Sequence, residues 1–459
     1  MTVSAARREQ TAAPSVPWRS TQAQREAVVL AVIAIGALAV IGLWWADTPA
    51  RSLHTFADRL TAAGRITGLV GTYLILVQVV LMARLRWLDR SIGTDRMATW
   101  HRSNGQYTIG LLVAHTFLII WGYAAFDHFS LSHETAKLLR SYPDVLAATV
   151  ALGMLVVIGI TSARMARRRL RYETWYFIHL YTYIAIALSF SHQLATGNEF
   201  ITHPANRALW GTLYVLTFGS LLVFRVAVPV RDYFRYQLRV SAIVPEAEDA
   251  VSVWVSGRHL ERMHAEAGQF FRWRFLDRQS WWEAHPFSLS LAPAPPSLRI
   301  TAKGVGDHSD ALRHLRVGTR VMAEGPYGNL TARRRTRRRV LLIAGGVGIT
   351  PLRAMIDELE AGPGDLTLLY RARTERELLF RSELDELAKA QRVDVRYLLG
   401  RRQKKTDPLS ARHLRQHVPD IVQRDVYLCG PPGMMDLAMK NLHLLGVPRS
   451  QIHQERFEL

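Results

Sequence analysis

Residues 101–123 read HRSNGQYTIGLLVAHTFLIIWGY, and residues 179–194 read HLYTYIAIALSFSHQL. Each apolar run carries two histidines: His101 and His115 are 14 residues apart, His179 and His192 are 13 apart. At a rise of about 1.5 Å per residue, both spacings put two imidazoles roughly 20 Å apart along a helix axis. An ionisable side chain at lipid depth is costly and marks function by default. Two helices with such pairs can clamp two stacked haems, each iron held by one histidine from each helix. A spacing of 14 returns to within about 40° of the same helix face, whereas 13 misses by about 140°. The second helix must therefore bend, or present its ligands on different sides.

Working outward, the 459 residues separate into an apolar and an ordinary soluble part. Six segments, at about 28–45, 65–83, 103–123, 145–163, 174–194 and 208–229, approach the ~20 residues that cross a hydrocarbon core. Residues 1–24 are polar and carry Arg7, Arg8 and Arg19, which is not the pattern of a cleavable signal peptide. With a cytoplasmic N-terminus, one side collects Arg84, Arg86, Arg90 and Arg96, then Arg164, Arg167, Arg168, Arg169 and Arg171, then Arg231, Arg235 and Arg239. The opposite loops hold Arg51, Arg59, Lys137 and Arg140. Inside-positive asymmetry sets this orientation. The net charge of +20 then faces an anionic leaflet rather than nucleic acid. On spans that run the same way, His101 is level with His179 near the cytoplasmic face, and His115 with His192 near the outer face. His54, His128, His133 and His203 fall in outer loops and read as surface residues. Arg65, Arg102 and Arg207 at span ends read either as snorkelling cations or as partners of haem propionates. Cys429 is the single cysteine, so there is no intrachain disulfide and any metal rests on histidine.

After Arg231 the pattern shortens to alternating stretches at 236–244, 251–255, 270–275, 287–291, 298–302 and 320–323, which predict a small antiparallel β-barrel. It carries His285-Pro286-Phe287-Ser288, and then Lys303-Gly304 with Ser309 beyond. Glycine-freed amides with a hydroxyl and an ammonium nearby suit a diphosphate. The run Arg333–Arg339 reads as a solvated loop, with contact to the inner leaflet as the alternative. A strand at 340–344 then leads into Gly345-Gly346-Val347-Gly348-Ile349-Thr350-Pro351 and a helix, which is a phosphate cradle. Strands at 366–370, 393–399 and 426–429 alternate with helices, predicting a doubly wound parallel sheet. Arg371 and Arg373 end its second strand where an acid would hold a ribose diol, and arginines there favour a 2′-phosphate, hence NADPH over NADH.

In this order, the histidine pairs, His-Pro-Phe-Ser at 285–288, Gly-Gly-Val-Gly-Ile-Thr-Pro at 345–351, Cys429-Gly430-Pro431-Pro432 and Glu455-Arg456-Phe457 resemble the NADPH oxidase/ferric reductase family from about residue 28 onward. The soluble part is similar to ferredoxin–NADP reductases. The resemblance implies FAD along His285, Pro286, Phe287 and Ser288, with Lys303, Gly304 and Ser309 near its pyrophosphate. It implies the nicotinamide nucleotide on Gly345, Gly346, Gly348, Thr350 and Pro351, with Gly430 and Pro431 also binding cofactor, Cys429 near the nicotinamide and Phe457 over the flavin. Glu458 and Leu459 follow that aromatic, whereas some oxidase relatives end on it. A calcium-binding loop of the D-x-[DN]-x-[DN]-G type does not appear in the sequence.

The expected organisation is a polar N-terminus (1–24), a six-span haem domain (25–232), an FAD-binding β-barrel (233–332) and an NADPH-binding α/β domain (333–459). The expected activity moves electrons from cytoplasmic NADPH through FAD and two b-type haems, across the plasma membrane, to a small external acceptor. Oxygen and ferric chelates both fit, and the short outer loops without a metal-binding cluster tilt the balance to oxygen. An electron donor to a separate protein, and a six-span channel or sensor with a nucleotide-binding domain, are the rival readings.

Overall fold

The computed structural model describes residues 22–163, 169–170, 172–277, 281–304, 312–400 and 407–455. The helices of the apolar part are α1 (Gln22–Asp47), α2 (Phe56–Leu81), α3 (Arg86–Ile92), α4 (Thr94–Asp127), α5 (Leu131–Ser141), α6 (Val145–Ser162), α7 (Tyr172–Leu180), α8 (Thr182–Thr196), α9 (Asn198–Thr202), α10 (Pro204–Leu222) and, after a π-turn at Val223–Ala227, α11 (Val228–Tyr236). Among the described residues, five helical stretches are long and apolar enough to cross a membrane: Gln24–Asp47, Phe56–Leu81, Thr94–Asp127, Val145–Ser162 and Pro204–Tyr236. They expose Val32, Leu38, Phe117, Leu146, Val157, Val215 and Leu216. Water would penalise that surface, and lipid does not.

The segment expected as one span at 174–194 is instead broken between α7 and α8, neither of which reaches a bilayer's width alone. The break has a local cause. The Tyr181 amide donates to the Ile178 carbonyl in a tight 3₁₀ bond, and the Thr182 hydroxyl donates to the His179 carbonyl at 2.6 Å. Side-chain hydroxyls that take a backbone acceptor in this way bend helices. The interruption of the helix thus falls just after His179, between the two histidines.

The chain forms two compact units. In the first, from the described parts of Met1–Tyr73 and Leu111–Ser141, small residues set helix spacing. Tyr73 donates its hydroxyl to the Ile33 carbonyl at 3.0 Å and packs on Gly36, and Gly122 lies on Thr61. The second unit, Leu74–Gly110 with Tyr142–Leu459, holds the remaining helices and all the strands.

Its first β region has β1 (Arg239–Ala247), β2 (Ala250–Ser256), β3 (Phe270–Phe275), β4 (His285–Ser288), β5 (Ser297–Lys303) and β6 (Val321–Tyr327). The expected closed barrel is not formed by the described residues. There are two three-stranded antiparallel sheets, ordered β1-β2-β5 and β4-β3-β6, joined by isolated bridges at Arg239/Arg320 and Leu289/Ile300. Four-residue β4 contains Pro286, which donates no ladder hydrogen bond, so it is a poor strand with which to close a ring. Val253, Phe271, Trp273, Leu289, Ile300 and Val321 form the shared core, all fully buried.

The C-terminal region has β7 (Val340–Gly345), α12 (Ile349–Glu358), β8 (Leu366–Ala372), α13 (Arg381–Lys389), β9 (Asp394–Leu399), α14 (Ala411–His417), β10 (Asp425–Cys429), α15 (Pro432–Leu444) and β11 (Ile452–Glu455). All five strands are parallel, in the order β11-β10-β7-β8-β9. The chain therefore leaves β7 toward one edge and later returns to its other side at β10, a switch point that opens a crevice at the strand ends. The arginine run before β7 is exposed yet tied by acids of this domain and of the first β region. Arg338 pairs with Asp365 at 2.9 Å, Arg339 with Asp420 at 2.8 Å and Arg333 with Glu266 at 2.9 Å. Asp425 accepts the amides of Thr336 and Arg337.

Candidate functional site

On α4, the His101 Nδ1 lies 3.3 Å from the Gln78 carbonyl, and the His115 Nδ1 lies 2.7 Å from the Gly64 carbonyl. Both acceptors are on α2 and are themselves 14 residues apart, matching the histidine spacing. Asn104 donates to the Leu74 carbonyl at 2.9 Å and to the Gln78 side chain at 2.7 Å, which fixes this stretch. Gly68 lets the His115 ring approach, because a Cβ there would stand 2.6 Å from Nδ1. On α7, the His179 Nδ1 is 3.4 Å from the Ser162 hydroxyl, and Trp175 stacks on its ring while donating to the same hydroxyl. On α8, the His192 Nδ1 is 2.9 Å from Thr196 Oγ1, whose own proton goes to the His192 carbonyl.

All four imidazoles thus have Nδ1 engaged with an oxygen, an arrangement that would make Nε2 the ligating nitrogen of a bound iron. Metal-bound histidines are commonly oriented in this way. The structure brings His101 and His179 together, with ring centroids 5.9 Å apart and planes at 68°. Metal–imidazole bonds of about 2.0 Å on either side of an iron place two such centroids roughly 6 Å apart. These residues fit a bis-histidine haem.

The turn after α2 and helix α3 hold the first β region. Asp89, buried, accepts the Gly328 amide at 3.0 Å and the Thr94 hydroxyl at 2.5 Å, while Asn329 donates to its carbonyl. Arg84 pairs with Glu324, and Arg86 with Asp232 at 2.9 Å. Burial, with Arg272 and Arg225 nearby, pushes the Arg84 guanidinium down to about 9, so it remains a cation at neutral pH.

In β4, Pro286 is exposed, Phe287 half-buried and Ser288 buried with its hydroxyl unpartnered. An orphaned buried hydroxyl is costly unless a bound group satisfies it. His285 Nε2 lies 3.3 Å from Glu283, Lys303 pairs with Asp249 at 3.3 Å, and the Gly304 amide donates to the Asp249 carbonyl. The flavin motif is therefore in place, while the Lys303 ammonium is held by an acid. Ser309 and Phe457 lie outside the described residues.

At the switch point three glycines let two turns meet. A Cβ on Gly348 would strike the Cys429 carbonyl, one on Gly430 would come within 3.1 Å of the Gly345 backbone, and one on Gly345 would strike Met434. Gly346 has φ +53° with open space where its side chain would be, and Tyr370 donates to its carbonyl at 3.2 Å. Thr350 and Pro351 lie buried in the first turn of α12, and Pro431 precedes α15. This is a nucleotide cradle built from backbone. Burial pushes the Cys429 thiol well up, with the charges of Glu455 and Asp95 adding to it, so it is a neutral packing group. Glu455 is raised in the same way, by burial and then by Asp95 and Asp89, and its Oε2 is unpartnered. Arg371 donates to the Leu398 carbonyl at 2.9 Å, and the Arg373 amide donates to Glu377 at 3.1 Å. An acid therefore does stand beside the second strand's end.

Against known families, residues 67–190 match the ferric reductase like transmembrane component, residues 236–331 an FAD-binding domain and residues 342–440 an oxidoreductase NAD-binding domain. The chain belongs to the NADPH oxidase/ferric reductase family. Its reductase module is 32% identical, over 243 residues, to the ferredoxin reductase component of a Mycobacterium tuberculosis 3-ketosteroid-9-alpha-monooxygenase, covering 50% of this chain and 67% of that protein. It is also 32% identical over 185 residues to a Vibrio cholerae flavohemoprotein, covering 38% of this chain and 46% of the other. The FAD/NAD-binding domain of nitric oxide dioxygenase from Vibrio cholerae aligns with 48% of this chain and 98% of its own length, at 26% identity and a TM-score of 0.41. This ferric reductase family member is an oxidoreductase with transmembrane, FAD-binding and NAD-binding parts. Sequence reasoning passed over Asp89, Glu324 and Arg225. The signal for Arg225 was present, since it is an arginine inside an apolar span.

Proposed function

We propose that this protein carries electrons from cytoplasmic NADPH, through FAD and two b-type haems in a six-span domain of the plasma membrane, to a small external acceptor. Oxygen, giving superoxide, is the first choice, and ferric chelates are the second. The observation that carries the reading is the His101–His179 pair at 5.9 Å with both Nδ1 atoms turned away to oxygen acceptors. The sequence spacing assigns His115 and His192 to a second haem. When bound, the flavin splits a two-electron donor into single electrons, and the haems conduct them.

The chain's own residues do the positioning. Gln78, Gly64, Ser162 and Thr196 orient the imidazoles. Ser288 offers a buried hydroxyl to the flavin, and the neutral Cys429 packs where the nicotinamide ring would lie. Arg373, with Arg371 beside it, is the candidate contact for a 2′-phosphate. Purified protein should show a dithionite-reduced b-type spectrum with two haems per FAD. Superoxide and Fe²⁺ formation, measured side by side with NADPH and then NADH, identify the acceptor and donor. A preparation that binds FAD and lacks haem would overturn the reading, and a chain slow with both acceptors would point to a partner protein.

A further inference from the structure

Arg225 lies inside the apolar stretch Pro204–Tyr236, in the π-turn Val223–Ala227. Its Nη1 donates to the Tyr183 hydroxyl at 3.4 Å, while its Nε is buried without a hydrogen-bond partner. Tyr183 stands four residues after His179, so this contact points the guanidinium toward the histidine side of the bundle. Phe224 and Val228, neighbours of Arg225, line a small cleft together with Arg84, Arg86, Asp232 and Glu324. The two acids of that cleft are already taken, Glu324 by Arg84 and Asp232 by Arg86 and Arg231.

An arginine at lipid depth with an unmet N–H requires an anion. The π-turn is what aims it. One extra residue in a turn rotates everything after it by about 100°, and such turns recur at functional sites. A lipid phosphate would have to come from the bilayer side, whereas the Tyr183 hydroxyl holds the guanidinium on the protein side.

We propose that Arg225 binds a propionate of the haem held by His101 and His179, setting that haem's orientation and raising its reduction potential. This rests on the haem reading above. A cation beside a propionate favours the reduced iron, because it offsets the negative charge that reduction leaves in the site.

The test is a potentiometric titration of the full chain in nanodiscs, following the haem absorption bands of wild type, Arg225→Leu and Arg225→Lys. His101→Ala serves to assign the inner haem. Arg225→Leu should shift the inner haem's reduction equilibrium about tenfold toward the ferric form, ~59 mV for one electron, and leave the other haem unmoved. Arg225→Lys should retain most of the wild-type value. If leucine is not tolerated, Arg225→Gln, which keeps polar reach to Tyr183 without the charge, should give the same shift. Two unmoved midpoints in a variant with both haems would overturn this proposal alone. So would a shift seen in anionic-lipid discs and lost in zwitterionic ones, since the anion would then be a lipid phosphate. Wild type without haem would overturn the parent reading as well.

Discussion

On the function proposed above, the helical region and the nucleotide domain meet the same task, holding a charged cofactor, with opposite materials. In the helices most backbone amides are consumed by the helical ladder, so side chains must do the binding, and each imidazole needs its own oxygen acceptor. At the ends of β7 and β10 the backbone is released, and the site is made by removing side chains at Gly345, Gly346, Gly348 and Gly430. Lipid forces the first solution, since unsatisfied backbone there costs several kcal/mol. Strand ends beside water permit the second. A site of side chains should fail one residue at a time. A site of absent side chains should fail wherever a methyl is added.

The largest expected effect is on the side-chain site. His179→Ala should eliminate one of two haems, read as half the haem per FAD by pyridine haemochrome assay, with FAD content unchanged. Retention of both haems would break the comparison at its root. On the backbone site, Gly348→Ala drives a methyl into the Cys429 carbonyl, and overpacking of this kind costs about 1–3 kcal/mol. NADPH affinity should fall roughly tenfold or more, with haem and flavin spectra intact, as measured by titration of flavin reduction. Gly68→Ala tests both principles together, because a methyl 2.6 Å from the His115 Nδ1 displaces a ring held by a backbone carbonyl. Loss of an orienting partner weakens metal affinity by about 10–100-fold, and the outer haem should become extractable. Equal retention of both haems would count against the Gly64 carbonyl as the orienting group.

Two smaller effects sharpen the contrast. Arg373→Ala should raise KM for NADPH more than for NADH, since a charged hydrogen bond contributes about 1.5–3 kcal/mol. Arg371→Ala should do less, as its guanidinium is already shared with the Leu398 carbonyl. Asp425 yields a pH dependence. Burial raises its carboxyl, but the nearby His453, 3.7 Å away, and hydrogen bonds from Arg337 and Thr336 outweigh that and hold it below the usual range. Its folded value is therefore depressed. Its stabilisation is complete above the unfolded value of about 3.9 and is lost as pH falls through the folded one. Asp425→Asn should flatten the acid limb of thermal unfolding and lower Tm at pH 8, where the wild-type carboxylate's stabilisation is fully present. An unchanged acid limb would remove Asp425 from the account.

Much of this was legible in the chain itself, for physical reasons. Fully buried parallel strands must be continuous apolar runs, so β7, β8 and β10 stood out at nearly their observed limits, and β3 matched at both ends. Histidines in apolar runs are expensive enough to announce themselves. The broken helix was foreseeable only as a need to bend. Its place depends on the Thr182 hydroxyl choosing the His179 carbonyl, a local competition that periodicity cannot express. The barrel was overcalled because alternation reports which face of a strand is buried, and not whether ladders close. Asp89 and Glu324 were invisible because their partners lie far away in sequence; the arginine run is exposed, as its charge suggested, while the acids it pairs with could not be read from charge alone.

The contact between Asp89 and Gly328 has a consequence for how the molecule is made. The two residues are 239 positions apart. At ribosomal rates of roughly 5–20 residues per second, Asp89 must wait between about ten and fifty seconds for the amide it will hold. During that interval α3 sits at the membrane surface with a carboxylate meant for burial still wet. Its capture of Gly328 is then a late step of biogenesis, one that docks an already folding flavin region onto helices laid down long before.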